Sequence, residues 1–529
     1  MRDTSSESTH AGSAGFLPVR ARFFRSGGRS LASAPVTLDP RTPVLVGAGQ
    51  SLHRARGLDD ALDPVALMAL AVEEAVADAG LASVPDVDSV RVVGLLSWRY
   101  GNPSQVLAER LGIASREFAV TTMGGNSPQT LVNSTALAIQ RGDLDVAILS
   151  GGESWRTRMR ARKQGVELDW PKAPEDSMPV LLGEDLVMNH PDEIARQITM
   201  PVQVYPMFET AIRAAAGRTP DEQLVRISEL WSRFSQVAAD NPKAWIRDAK
   251  TPEEIRTVGP DNRMIGLPYA KYMNSNNDVD MGAALLMMSV EAAERLGVPR
   301  DRWVFPHSGT DCHEHQFISN RWSFHETPAI ELGGTLALEL AGLTIDDVDL
   351  VDLYSCFPAA VQLGAQSLGL PIDRELTLTG GLPFAGGPWN NYVMHAIATM
   401  MQRLREQPGA TGLVWANGGY TTKHAFGVYS TTPPALPFRH AYPQDRIDAM
   451  PRRELAKPAE AVGPATVEAY TVMFSREGLP ERAIAACLLA DGRRAWGDSV
   501  DPALAAAMCE GEWVGRAVVL DADGALTPA

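Results

Sequence analysis

Two stretches of this chain repeat one succession of turn signals about 262 residues apart. Ala79-Gly80-Leu81 followed by Asp86-Val87-Asp88 returns as Ala341-Gly342-Leu343 followed by Asp347-Val348-Asp349. Gly124-Gly125 opens a helical pattern leading to Gly151-Gly152, and Gly386-Gly387 opens another leading to Gly418-Gly419. Landmarks recurring in one order at nearly constant spacing mean a half-domain duplicated with its turns kept. The chain must therefore build two similar halves, and turns that follow strands are where α/β folds hold their chemistry.

Between the landmarks two periodicities alternate. Thr42 to Gln50 reads as a buried strand, Pro64 to Gly80 as a helix, Val90 to Ser97 as a strand and Ser104 to Gly112 as a helix. Phe118 to Thr122, Ser127 to Arg141 and Val146 to Ser150 continue strand, helix, strand, ending in Gly151-Gly152-Glu153-Ser154. Such alternation makes parallel βαβ units. The rhythm fails from Trp155 to about Tyr272, where prolines 171, 174, 179, 191, 201 and 206 precede two amphipathic stretches, Phe208 to Ala216 and Asp221 to Ala239. An insertion this long inside a compact domain is usually functional, as a lid or binding element.

The rhythm resumes with Asp280-Met281-Gly282-Ala283-Ala284, a helix ending at Leu296-Gly297 and a strand from Trp303 to Pro306. The second half runs helix Ala329 to Gly342, strand Val348 to Tyr354, helices Pro358 to Gly369 and Tyr392 to Arg405, and strand Gly412 to Trp415. A proline-rich linker follows Ser430. Beyond it, strands at Thr466 to Ser475, Arg482 to Leu489, Arg494 to Gly497 and Trp513 to Leu520, with a helix at Pro502 to Cys509, predict a small β-barrel of OB type.

With 45% apolar and 21% charged residues over 529, the chain can bury a large core. No run of about 18 apolar residues lacks a charge or a turn former, so no membrane span is expected. A net charge of −16 argues against a nucleic-acid partner, which needs a basic face. A local basic pocket for a phosphorylated ligand remains compatible with it. Cys312, Cys356, Cys487 and Cys509 form no CxxC and no framework, the habit of a reducing compartment, read here as the cytoplasm. Residues 1–40, rich in Ser, Gly and Arg, are expected to be a disordered leader.

Gly151-Gly152-Glu153-Ser154 after Gly142-Asp143, with Asn274-Ser275, Asp280, Gly282-Ala283-Ala284 and Ser289 before Leu296-Gly297, makes residues 41–430 resemble the thiolase superfamily. Tyr354-Ser355-Cys356-Phe357 and the appended barrel look most like the sterol-carrier-type thiolases and mycobacterial thiolase-like proteins of type 1. The resemblance implies an α/β fold of two βαβαβαββ halves in five αβαβα layers. The halves would be residues 41–154 with 273–307, and 308–432, with a loop domain at 155–272, a linker at 433–455 and an OB-like domain at 456–529. It implies CoA or acyl-CoA as ligand, with no permanently bound cofactor or metal. Thiolases pair through the first-half sheet edge, so the chain is expected to be a homodimer, or a monomer if the barrel covers a shared surface.

Thiolases place their nucleophilic cysteine 28 residues before the glutamate of the Gly-Gly-x-Glu turn, which here is Gly125. Their Asn-Glu-Ala-Phe or His-Asp-Cys-Phe segment appears as Tyr354-Ser355-Cys356-Phe357, their Gly-His-Pro as Gly386-Gly387-Pro388 and their Cys-x-Gly as Ala416-Asn417-Gly418. Losing the nucleophile of a covalent mechanism typically costs about 10⁶-fold in turnover, so thiolysis through an acyl-cysteine is not expected. The N–H groups of Gly125 and Gly418 could still polarise a thioester oxygen. Asn126, Ser127, Gly387 and Asn417 are the expected CoA contacts; Tyr354 and His424 are candidates for proton transfer, and Cys356 for an acid/base or a packed thiol. The implied function is that of an acetyl-CoA acetyltransferase-type protein working non-covalently, by retro-aldol-like chemistry on a CoA thioester. The alternative is a non-catalytic CoA-thioester or lipid carrier.

Other motifs read more plainly. Gly47-Ala48-Gly49 is a tight strand exit, the run Arg156, Arg158, Arg160, Arg162, Lys163 a solvated lead into the loop domain, and His395 a packed histidine. Cys312-His313-Glu314-His315 has metal-ligand residue types, but consecutive residues cannot all reach one ion.

Overall fold

The computed structural model describes residues 38–529. The leader expected at 1–40 lies almost wholly outside the described residues. In the first half β1 (Pro43–Leu52), α1 (Pro64–Asp78), β2 (Ser89–Val92), α2 (Pro103–Leu111), β3 (Glu117–Thr121), α3 (Ser127–Arg141) and β4 (Val146–Ser154) follow one another as the periodicities require. Asp63 caps α1 by accepting from the Val65 and Ala66 amides, and Pro64 sits in the first turn, where a missing N–H costs nothing. Gly47-Ala48-Gly49 is not a strand exit, because β1 runs on to Leu52. The two glycines instead let α1 lie against the strand, since a Cβ at either would press into the Ala75 or Ala71 carbonyl.

The inserted segment holds α4 (Trp155–Gln164), β5 (Val180–Leu182), α5 (Pro191–Ala195), α6 (Pro201–Ala215), α7 (Pro220–Asp240), α8 (Pro252–Arg256), β6 (Met264–Gly266) and β7 (Tyr269–Ala270). Pro191, Pro201, Pro220 and Pro252 each open a helix at its first turn, so two of the prolines that read as interruptions, Pro191 and Pro201, are starts. β8 (Asp280–Ser289) is a ten-residue strand where a helix was expected after Ala284. It is buried on both faces between β1 and β4, so it shows no alternation to mark it as a strand. The helix, α9 (Val290–Arg295), is correspondingly short. The first sheet runs β1-β8-β4-β2-β3-β5, and the free edge of β3 is closed by β5, with Ala119 opposite Val180 and Thr121 opposite Leu182.

The second half builds β9 (Phe305–His313), α10 (Pro328–Ala341), β10 (Leu350–Leu353), α11 (Pro358–Leu368), α12 (Gly381–Phe384), α13 (Tyr392–Glu406), β11 (Thr411–Gly418) and β12 (Lys423–Ser430). Its sheet runs β10-β11-β12-β9-β13, in which β13 (Arg439–Ala441) comes from the proline-rich stretch and pairs parallel to β9. A short α14 (Gln444–Asp448) follows. Helices α3 and α13 lie between the sheets. Gly309 and Gly427 on the second sheet make room for Asn133 and Gln129 of α3, and Gly151 on the first makes room for Asn391 at the head of α13. Two of these buried side chains find partners there: Gln129 Oε1 accepts from Tyr429 Oη at 2.8 Å, and Asn133 Nδ2 donates to Asp311 at 2.9 Å. With α1 outside the first sheet and α10 outside the second, the five layers are complete.

The C-terminal strands β14 (Gly463–Phe474), β15 (Pro480–Leu489) and β16 (Arg494–Ser499), helix α15 (Pro502–Cys509), β17 (Ala517–Leu520) and β18 (Leu526–Pro528) form one sheet, ordered β16-β15-β14-β17-β18. β6 of the inserted segment joins it beside β14. Arg494, fully buried, pairs with Glu468 at 2.8 Å and donates to the Ser319 and Arg321 carbonyls, tying this sheet to the second half. Among the described residues no helix is long and apolar enough to cross a membrane.

Candidate functional site

The β3–α3 turn of the first half meets the end of β11 from the second. Ser127 Oγ donates to the Thr122 carbonyl at 2.9 Å and closes the turn, so this hydroxyl is spent on the backbone. Gly125 is backed by β11: a Cβ there would lie 2.5 Å from Tyr354 Oη and closer still to the Asn417 carbonyl. A Cβ on Gly418 would lie 3.1 Å from Gly125 N and 2.5 Å from Asn126 Oδ1. Gly125, Gly418, Asn126, Asn417 and Tyr354 are thus brought together, and both glycines are dictated by the approach of backbone to backbone. Asn126 Oδ1 and Asn417 Oδ1 are buried without a hydrogen-bond partner, acceptors pointing into the place where the halves meet.

Tyr354 leaves β10 with its amide bonded to the Trp415 carbonyl at 3.1 Å and its ring edge-on to Tyr392, 5.6 Å away. Its hydroxyl occupies the space a side chain at 125 would enter. Burial first, then Cys356, Tyr205 and Tyr392, push its pKa well above 10, so the phenol stays protonated. Cys356 is pushed up to about 12 by burial, although the neighbouring Tyr205 hydroxyl pulls it the other way; it is a neutral thiol at physiological pH. Ser355 Oγ is buried and unpartnered.

Tyr205 enters this site from α6 of the inserted segment. It stacks on Phe357 at 4.5 Å, accepts from Asn417 Nδ2 and the Thr421 amide, each at 3.0 Å, and donates to the Gly419 carbonyl at 3.1 Å. It fixes the turn between β11 and β12, in which Thr421 has a φ of 52°, a strained value for a β-branched residue. Fully buried Arg321 donates to the carbonyls of Tyr420 and Thr421 on the same turn.

His424 and Lys423 follow that turn on opposite faces of β12. His424 is buried; its Nδ1 accepts from Trp415 Nε1 at 3.3 Å, which leaves the ring proton on Nε2, where it finds no partner. Burial, then Arg321 and His313, hold its pKa well below 6.5. Lys423 reaches back to donate to the Met123 carbonyl, so an ammonium sits on the β3–α3 turn. Gly387 is placed elsewhere: its amide donates to the Asn276 carbonyl at 2.9 Å, and a Cβ would meet Ser275 and Asn277. Spacing to the glycine turns located Gly125, Gly418 and Tyr354, and adjacency to a turn drew attention to His424. Tyr205 and Arg321 had no local signal.

The remaining motifs also resolve. His395 packs with Nδ1 on Gln50 Oε1 at 2.9 Å and a pKa lowered to about 3 by burial, then Lys243. The arginine run divides: Arg156 pairs with Asp278, Arg158 donates to the Leu96 carbonyl and Arg160 to that of Ala55, so it is not simply solvated. Cys312 Sγ donates to the Ala329 carbonyl and Glu314 accepts from the Ala329 amide.

Comparison with known proteins places the fold. The crystal structure of a monomeric SCP2-thiolase-like protein type 1 from Mycobacterium smegmatis is 32% identical, with a TM-score of 0.78, covering 93% of this chain and all of that one. An Ltp2-ChsH2(DUF35) aldolase shares the fold at 20% identity and a TM-score of 0.55, over 74% of this chain and 98% of that one. An acetyl-CoA acetyltransferase of Syntrophomonas wolfei is 28% identical over 166 residues, 31% of this chain and only 39% of that enzyme. The class is therefore that of the thiolase-like proteins, within the acyltransferase superfamily to which the acetyl-CoA acetyltransferase belongs. Within it the chain belongs to the SCP2-thiolase-like proteins of type 1, and residues 443–525 match the additional C-terminal domain of thiolase-like protein type 1.

Proposed function

We propose that this protein binds an acyl-CoA thioester where its halves meet and makes or breaks a carbon–carbon bond beside the thioester without a covalent intermediate. The observation that carries the reading is Tyr354 Oη standing where a side chain at 125 would begin. A neutral donor replaces the nucleophile. The Gly125 and Gly418 N–H groups would hold the thioester oxygen as it gains enolate charge, with Asn126 and Asn417 lining the approach. In a retro-aldol step on a 3-hydroxyacyl-CoA the C2–C3 bond breaks, the hydroxyl becomes a carbonyl and its proton is lost while C2 gains one. Tyr354, protonated by its burial, would relay one proton, taking that of the hydroxyl as it gives its own to C2 in the same step, so that no phenolate is left. His424, neutral and with its proton on Nε2, would serve as a donor. The likeness to an aldolase of the same fold supports this chemistry.

The neutral state of both groups also favours a second reading, a carrier that binds the thioester without turnover. Tyr354→Phe separates them. Under the catalytic reading it lowers turnover of 3-hydroxyacyl-CoA by about 10²-fold or more while acetyl-CoA binding by calorimetry persists; unchanged turnover in both Tyr354→Phe and His424→Ala defeats it. No binding of CoA or acetyl-CoA to the parent protein defeats both readings. The four free cysteines fit a cytoplasmic, reducing setting, and β5 closing the β3 edge supports action as a monomer.

A further inference from the structure

A cavity of about 480 Å³ opens where the corner between α6 and α7 leans on the end of α11 and on residues 370–372. Arg218 and Arg226 line one side of it, Ile212, Leu370 and Ile372 form an apolar wall, and no carboxylate lines it. In a chain of net charge −16, two guanidiniums sharing a wall with no acid are an exception. A third arginine stands at the rim, where Arg233 donates through Nη2 to the Ile372 carbonyl at 2.8 Å.

The three cations are not compensated from within. Arg218 spends Nη1 on Gln223 Oε1 at 3.0 Å, but Arg226 Nε is buried with no hydrogen-bond partner. Burial first, then the like charges of Arg218 and Arg233, lower the Arg226 pKa, and Glu209 and Glu229 oppose this more weakly. Glu209 is fully buried and its oxygens are taken: they accept from Gln362 Nε2 at 2.8 and 3.0 Å, from Gln223 Nε2 and from Tyr269 Oη. Glu229 is exposed on α7. Folding therefore crowds like charges and leaves a buried donor unmet, a cost that an anion in the cavity would remove.

The apolar wall selects among anions. Ile212 and Leu370 are buried beside the guanidiniums. A bare inorganic anion would leave that wall facing water, whereas a carboxylate with an aliphatic body covers it while its two oxygens meet the planar fork of an arginine. We propose that this cavity is a binding site for a small aliphatic carboxylate, its charged end on Arg226 and Arg218 and its chain along Ile212, Leu370 and Ile372. The site goes beyond the CoA-thioester reading and does not rest on it. Phe357 precedes the first turn of α11, while Ala365 and Gln366, which line the cavity, stand in its last two turns. The two sites thus face opposite ends of one helix.

Octanoate is the probe, titrated into the full chain by calorimetry, with octanol as its uncharged match and inorganic phosphate as an anion without a chain. The expected result is one octanoate bound per chain, no octanol, phosphate at least about tenfold weaker, and the same octanoate affinity in the presence of excess acetyl-CoA. Arg226→Gln should weaken octanoate about tenfold or more, and Arg218→Gln should weaken it in the same direction. Without ligand, Arg226→Gln should melt no lower than the parent, because it sheds a crowded charge; this keeps loss of binding apart from loss of fold. No octanoate binding, or equal binding in the parent and both variants, overturns the site. Phosphate binding as tightly as octanoate overturns the aliphatic assignment. Octanoate displaced by acetyl-CoA overturns the second site and leaves the thioester reading standing, whereas octanoate bound by a chain that takes no acetyl-CoA supports the site and defeats that reading.

Discussion

Installing the thiol that the fold's relatives would carry, Gly125→Cys, challenges the site most directly. A Cβ at 125 would stand 2.5 Å from Tyr354 Oη, 2.9 Å from its Cζ and nearer still to the Asn417 carbonyl, all closer than real Cβ contacts. The phenol is braced edge-on against Tyr392, and the carbonyl belongs to β11, which is paired along its length with β12. Neither can yield without moving its neighbours. Overpacking of this kind costs about 1–3 kcal/mol, and the carbonyl contact places this case at the upper end. A denaturant titration followed by circular dichroism reads the loss, and intact-mass spectrometry after incubation with acetyl-CoA should show no acetyl adduct. In a double-mutant cycle Tyr354→Ala removes the phenol contact but leaves the Asn417 carbonyl, so the two changes should couple by about 0.5–3 kcal/mol with only partial relief. A Gly125→Cys protein as stable as its parent and readily acylated, or strictly additive losses, would refute the placement of Tyr354 as the group that displaced the nucleophile.

Glu153, fully buried, has a folded pKa raised to about 7 by burial, opposed by its bonds from Ser97 and Leu96. The folded state therefore holds a proton that the unfolded state has released, and stability falls as pH rises from about 4.5 to about 7, by an order of 3 kcal/mol, then levels off; Glu153→Gln should flatten that fall in pH-dependent melts, and an unchanged slope counts against it. Arg494→Ala leaves the part-buried carboxylate of Glu468 only Arg453, at 3.9 Å, and frees three carbonyls of residues 318–321, so it should cost about 3 kcal/mol and speed proteolysis of the 430–443 stretch; a loss below about 1 kcal/mol contradicts the tie. Replacing Val180–Leu182 by Gly-Ser-Gly unpairs the β3 edge and should give concentration-dependent self-association by light scattering, where the parent stays at one mass.

The duplicated frame was legible because each βαβ unit carries its period and its glycine turn in sequence. What escaped did so for physical reasons. β8 is flanked by strands on both sides and buried on both faces, so its apolar run carries no period of two. The helices α5 and α6 open on Pro191 and Pro201, which read as breaks. β13 is three residues long and holds its place by pairing with β9, a tertiary fact with no local pattern. At the site, Gly125, Gly418 and Tyr354 could be placed by counting from glycine turns. Tyr205, about 150 residues from Phe357 and about 210 from the turn it holds, could not. Its aromatic ring looks like any core residue of an amphipathic helix until the insertion folds back over the second half.

The strand β5 is only three residues long, yet it changes the bookkeeping of assembly. An edge covered by a second chain is covered in proportion to concentration, because association is governed by mass action. An edge covered by the same chain is covered at any dilution, for the modest closure entropy of the connection between α4 and β5, residues 165–179. The pairing of β3, from which the turn to α3 issues, is therefore made within one chain. Scarcity of the protein does not undo it.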